Sequence, residues 1–148
     1  MIREANKFDI EGIIRMLKNY REAAPLDVLK YANDEEYIER MITEIIAGMG
    51  FVLVSEKDEQ LTGMLICAKI PNIWNPKTHQ CSEVAYWVEE DHRGGTAGYR
   101  LMNAYIEKCE EWKRQGKIHF YTMSKMNNSP DLKYQKFGFQ KLEETWFK

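Results

Sequence analysis

The chain has 148 residues, a formal net charge of −2 and a pI near 6.0. That balance argues against a dedicated nucleic-acid surface, which carries a strong positive excess. With 44% hydrophobic and 30% charged residues it reads as an ordinary globule, one domain over 1–148. The longest apolar runs, such as 64–68, fall far below the ~20 residues that cross a bilayer. The opening MIREANKFD lacks the apolar stretch of a secretory leader. Cys67, Cys81 and Cys109 are odd in number and widely spaced, and no zinc spacing joins them to His79, His92 or His119. Reduced thiols in a cytoplasmic protein, with no bound metal and no membrane partner, are the plain expectation.

In chain order, residues 2–5 form a short candidate strand, and Asp9 stands where a helix N-cap would. Ile10, Ile13, Ile14, Leu17 and Tyr20 follow at helical spacing, so 10–23 is an amphipathic helix that ends at Ala24-Pro25. Asn33 or Asp34 caps a second helix with Ile38, Met41, Ile42 and Ile45 on its apolar side, closed by Gly48 and Gly50. The period then shortens. Strands at 51–56 and 61–70 flank the polar turn 57–60, which is a hairpin. A two-proline loop, 71–79, leads to a strand at 81–88. The longest helix covers 95–115, a strand covers 118–122, and 126–131 is a loop. A short helix at 132–137, stopped by Gly138, precedes a final strand at 139–147. The order β-α-α-β-β-β-α-β-α-β predicts an α/β domain, a mixed central sheet flanked by helices.

Three of the nine glycines, Gly94, Gly95 and Gly98, fall within five positions in DHRGGTAGYRLM, between a strand and the longest helix. Glycine weakens helices, so the cluster needs a reason. A helix N-terminus offers unpaired N–H groups and a partial positive charge, and Arg93 adds a full cation. Local chemistry leaves two readings, a phosphate cradle or a bare turn. GxxxxGK[ST] and GxGxxG are both absent, which sets aside the common nucleotide loops.

VEEDHRGGTAGYRLM resembles motif A of the GNAT superfamily, the GCN5-related N-acetyltransferases, whose pattern is Arg/Gln-x-x-Gly-x-Gly/Ala after a strand ending in Val. It falls on Arg93, Gly94, Gly95, Thr96, Ala97 and Gly98, with Thr96 where the family usually has glycine. IREA with the helix after it resembles the family's opening, and the hairpin with its GMLI segment resembles strands two and three. NNSPDLKYQKFGF resembles the C-terminal pattern, with Asn127 seven residues before Tyr134 and Tyr134 four before Gly138. SEVAYWVEEDHRGG resembles small GNAT proteins of bacteriophages and environmental bacteria.

The resemblance implies an acetyl-CoA-dependent N-acetyltransferase. Trp87 and Val88 would pair with the pantetheine arm through main-chain groups. The amides of Gly94, Gly95, Thr96, Ala97 and Gly98 would hold the pyrophosphate with Arg93 nearby, and Asn127 would contact the pantetheine. Direct attack by a primary amine needs a base, an acid and an oxyanion donor, but no enzyme nucleophile. Tyr134 is the candidate acid and the Val88 N–H the candidate oxyanion donor. Glu83 is either the base or an exposed strand residue; strand alternation decides its face, and one bulge reverses the answer. Residues 21–33 would line the acceptor, a small-molecule or peptide amine. The alternative function is an inactive GNAT-like binding module. With one final strand where the family has a pair, the sheet is left with an open groove or an edge that a second subunit completes, a possible homodimer.

Overall fold

The computed structural model of the chain describes residues 1–148. Its sheet has five strands in the order β1-β2-β3-β4-β5: β1 Ile2–Glu4, β2 Gly50–Lys57, β3 Gln60–Pro71, β4 His79–Val88 and β5 Phe120–Thr122. Only the β4–β5 pair is parallel. Helices α1 Ile10–Ala23 and α2 Glu35–Glu44 cover one face, and α3 Ala97–Arg114 covers the other.

Alternation on the two long central strands builds both layers. Phe51, Leu53, Leu65 and Cys67 join Leu101, Tyr105, Cys109 and Trp112 beneath α3. Val52, Val54, Met64 and Ile66 join Ile13, Met16 and Ile42 beneath α1 and α2. A sheet buried on both faces reads as a near-continuous apolar run, as 51–54 and 64–67 do. The β2–β3 turn places Asp58 and Glu59 at φ 51° and 62°, the left-handed pair that suits the twist of a two-residue hairpin.

Helix entry differs from the sequence expectation. Asp9 does sit at the N-cap position of α1, but its side chain makes no capping bond there. Asn6 caps a short turn, Lys7–Asp9, and Asp9 accepts from the Asn6 N–H in return. The Asp9 carboxylate also takes both terminal nitrogens of Arg3 at 2.8 and 2.9 Å. That ion pair holds Asp9 below the usual carboxylate range. Asp34 does cap α2, accepting from Tyr37 N–H at 3.1 Å.

The C-terminal expectations need larger correction. The helix expected at 132–137 is one turn, Tyr134–Phe137, and no strand forms over 139–147. Lys133 at φ 56° and Gly138 at φ 93° bracket the turn, and left-handed residues at both ends stop it from growing. β5 lies at the sheet edge, and no segment pairs with its outer side.

Candidate active site

Pairing between β4 and β5 covers only Gln80, Cys81 and Ser82. Beyond that point the two strands part, and residues 83–88 keep β3 as their only strand neighbour. Two features fix the parting. A bulge on β4 places Ile66 opposite Ala85 but Cys67 opposite Glu83, so Val84 is the extra residue. On the β5 side, Tyr105 of α3 donates to the Thr122 carbonyl at 2.7 Å and holds the strand end against the helix.

The bulge changes which way β4 faces. Cys81 lies in the layer beneath α3, whereas Ala85 lies beneath α1 and α2. Strict alternation would put both on one face. Glu83 stands beside the reversal, half-buried at the mouth of the gap. Its Oε2 accepts the Ser124 backbone N–H at 3.3 Å from the chain leaving β5. Burial pushes the Glu83 carboxyl up to about 7, against the lowering effect of that hydrogen bond.

Three phenols gather around this carboxyl. Tyr134 is half-buried and makes no hydrogen bond through its hydroxyl. Burial, then the charges of Glu83 and Asp131, pushes it up to about 12. Tyr20, from the end of α1, is pushed up to about 12 by burial and then by Glu83 and Tyr134. Tyr86 is raised by burial and feels Tyr134 and Glu83 as well. The structure thus brings Glu83 and Tyr134, 51 positions apart in sequence, into one electrostatic neighbourhood. Sequence reasoning does not single out Tyr20 or Tyr86 as site residues. Tyr20 falls within the apolar stripe of α1, and its one signal is a polar tip at the end of that stripe, where a phenol needs a reason.

The backbone of β4 offers the gap a free edge. Glu89 N–H bonds to Thr62 O of β3 at 2.9 Å, so Val88, one residue earlier, turns its N–H away from β3 and into the gap. Trp87 turns its backbone the other way, toward Met64 of β3. What Trp87 presents is its ring, which packs edge-on to Tyr20 at 6.0 Å and carries the Arg93 guanidinium at 4.4 Å. The buried Trp87 Nε1 has no hydrogen-bond partner. Arg93 Nε donates to Val88 O at 2.9 Å, so its cation rests on the end of β4.

The glycine loop then enters α3. Gly94 has φ +88°, a conformation that favours glycine. A Cβ at Gly94 or Gly95 would meet nothing within 4 Å, so both face open space. Thr96 occupies the N-cap position without a side-chain capping bond, which leaves the first amides of α3 without a side-chain partner. Gly98 is different. A Cβ there would lie 3.3 Å from the Tyr86 hydroxyl, which donates to the Gly98 carbonyl. Its smallness serves Tyr86 packing at least as directly as ligand approach.

Asn127 is exposed in the 126–129 turn, where Ser129 N–H bonds to Met126 O. The neighbouring Asn128 ties that turn to α1, donating to Ala23 O at 2.7 Å. Across the β4 end from α3 lies a cavity of about 440 Å³ lined by Asn19, Glu22, Ala23, Trp87, Glu89, Glu90 and Asp91. Asn19 holds Glu89 by hydrogen bonds of 3.1 Å to both carboxylate oxygens. No group of three or more His, Cys, Asp or Glu side chains is placed to hold a metal ion, and no helix is long and apolar enough to cross a membrane.

A glycine loop that opens a helix at the end of a strand is the arrangement that the sequence resemblance implied, and the structure sets it beside two parting strands. The family model described as the acetyltransferase (GNAT) family matches residues 14–139. The chain belongs to this family. No curated protein matches the sequence. Among solved structures, a possible acetyltransferase from Clostridium difficile 630 is similar with a TM-score of 0.71 at 14% identity, over 100% of this chain and 95% of that one. A predicted acetyltransferase from Clostridium acetobutylicum, solved with acetyl-CoA, gives 0.70 at 17% identity, over 100% and 94%. A ribosomal-protein-alanine N-acetyltransferase from Brucella melitensis biovar Abortus 2308 gives 0.68 at 17%, over 99% and 95%. At such identities the likeness shows the GNAT fold alone. The five-stranded mixed sheet with helices on both faces agrees with it.

Proposed function

We propose that this GNAT chain transfers an acetyl group from acetyl-CoA to a primary amine by direct attack. The observation that carries this reading is the gap between β4 and β5. It has Glu83 at its mouth, the Tyr134 phenol within the field of that carboxyl, and the uncapped glycine entry of α3 at its side. The residues suit the cofactor chemically. Gly94 and Gly95 leave room at amides that favour an anion, and the free edge of β4 suits an extended amide-bearing arm. Arg93 stands beside both. Acetyl-CoA, when bound, supplies an activated acetyl thioester.

The chain's own residues do the rest. A carboxyl near 7 is matched to taking a proton from an ammonium group at neutral pH, and Glu83 has that value because it is buried. The Val88 N–H faces the gap and is the backbone donor for charge that builds on an oxygen there. Tyr134, held well above neutrality, keeps its proton until a departing thiolate takes it. The acceptor side is acidic. Glu22, Glu89, Glu90 and Asp91 around the 440 Å³ cavity favour a cationic amine over an anionic or apolar acceptor.

Calorimetric titration with acetyl-CoA, then thiol release over a panel of amines, tests this reading. Binding with a raised melting temperature is expected, because a ligand selective for the native state stabilises it. No binding at millimolar cofactor would leave the inactive binding module as the function.

A further inference from the structure

Three glycines lead into α3, and the third differs from the other two. A Cβ at Gly94 or Gly95 would face open space. At Gly98 the only heavy atom met within 4 Å, its own helix turn apart, is the Tyr86 hydroxyl at 3.3 Å. Gly98 lies inside α3 and lacks the positive φ of Gly94. Its backbone conformation therefore gives no reason for glycine, and glycine weakens a helix. The neighbouring phenol gives the reason.

Tyr86 reaches that place through the β4 bulge. Ala85 lies beneath α1 and α2, so Tyr86 falls on the opposite face and packs against the layer beneath α3. Its hydroxyl donates to the Gly98 carbonyl. Burial, then the charges of Tyr134, Glu83 and Tyr99, raises this phenol, so it keeps its proton and stays a donor. Thr96 makes no capping bond. The Tyr86 bond is thus the one side-chain hydrogen bond that reaches the first turn of α3. The other lateral contact of that turn is Tyr99, half-exposed and stacked on Phe137 at 6.0 Å. A stack of rings can slide, whereas a hydrogen bond to a carbonyl sets both distance and direction.

We infer that Tyr86 is a positioning residue for the cofactor loop: its hydroxyl, bonded to the Gly98 carbonyl, fixes the first turn of α3 against β4, and Gly98 is small to admit that hydroxyl. This rests on the reading of the loop and the β4 edge as the acetyl-CoA site. An anion on the α3 amides and an extended arm along β4 belong to one ligand. The spacing of the two elements has to match that ligand, and a spacing set in advance spares the cost of ordering on binding.

A double-mutant cycle on the full chain tests this. Tyr86→Phe keeps the ring and removes only the O–H, and Gly98→Ala keeps the O–H and displaces it. Each should weaken acetyl-CoA binding about three- to tenfold in calorimetry, the range of one hydrogen bond. The double variant should bind like either single one, because a Cβ at position 98 meets nothing once the hydroxyl is gone. The KM for acetyl-CoA should rise by the same factor, and the KM for the amine should not. If Gly98 is small for the ligand's sake, Gly98→Ala will cost as much in the Tyr86→Phe background as in wild type, and the losses will multiply. That result would overturn the inference. So would single variants that bind like wild type, a Tyr86→Phe chain that does not fold, or an equal rise in both KM values. Wild type that binds no acetyl-CoA would overturn the cofactor reading itself, whereas wild type that binds beside unaffected variants would overturn the role of Tyr86 alone.

Discussion

Cys81 and Glu83 stand two residues apart on β4, and they end in opposite kinds of place. Cys81 is sealed with Cys67 and Cys109, all fully buried in the layer beneath α3. There, hydrogen bonding to Cys109 and Cys81, together with burial, holds the Cys67 thiol protonated, while hydrogen bonds from Cys109 and Cys67 lower Cys81. Glu83 sits just past the last paired rung of β4 and β5, half-buried, with phenols and a backbone N–H around it. Both neighbourhoods have low polarity. Only the second opens onto a gap that a substrate can reach. A shifted group sealed from solvent meets no substrate, whereas burial at the edge of an opening makes a group that is both poised near neutrality and accessible.

The contrast gives an ordered set of expectations. Glu83→Gln should lower kcat by about 10²–10⁴, the usual contribution of a general base, while acetyl-CoA affinity stays within a few-fold. The same variant has a stability signature. The folded carboxyl titrates near 7, above its ordinary 4.5, so the fold favours the protonated acid. Stability present below about 4.5 is lost as pH rises through about 7, and Glu83→Gln should remove that decline in chemical denaturation series. Tyr134→Phe should lower kcat by roughly ten- to a thousandfold, because a thiolate needs less help in leaving than an alkoxide does. Its ring still packs on Phe139, so the melting temperature should hold.

Gly95→Val should weaken acetyl-CoA binding about tenfold or more in calorimetry without loss of fold, since its Cβ faces open space. Gly98→Val is less clean, because it also strikes the Tyr86 hydroxyl. For the sealed neighbourhood, Cys67→Ala should cost about 1–2 kcal/mol of stability and leave kcat unchanged. A change in kcat there would erase the distinction between the two clusters. Thr96→Gly should have the smallest effect, since its hydroxyl caps nothing; equal or slightly better affinity is expected.

Much of this was legible in the sequence because it follows from period and punctuation. The stripes of α1 and α3, the hairpin and the glycine entry are local patterns, and they fall where the spacing puts them. The failures share a cause. Asp9 stands at the N-cap position as expected, but Arg3, six residues earlier, takes its carboxylate, so it makes no capping bond. Residues 139–147 have strand composition, but strand formation depends on pairing, and composition does not show whether a segment docks on the open edge of β5. Glu83 was legible as a residue type on the right strand. Its orientation was not, because one extra residue at Val84 reverses the faces and nothing in SEVAYWV marks it. Tyr20 and Tyr86 looked like core aromatics, and only the fold brings their hydroxyls toward Tyr134.

The central claim is that Glu83, half-buried where β4 and β5 part, accepts the proton of the amine. The most direct test is the pH profile of kcat/KM for wild type and Glu83→Gln, with acetyl-CoA binding followed in parallel. Wild type should lose activity below an inflection near pH 7 as Glu83 protonates, and the variant should be slow and show no inflection there, with cofactor binding intact. An unchanged inflection in the variant, or wild-type rates without Glu83, would contradict the assignment.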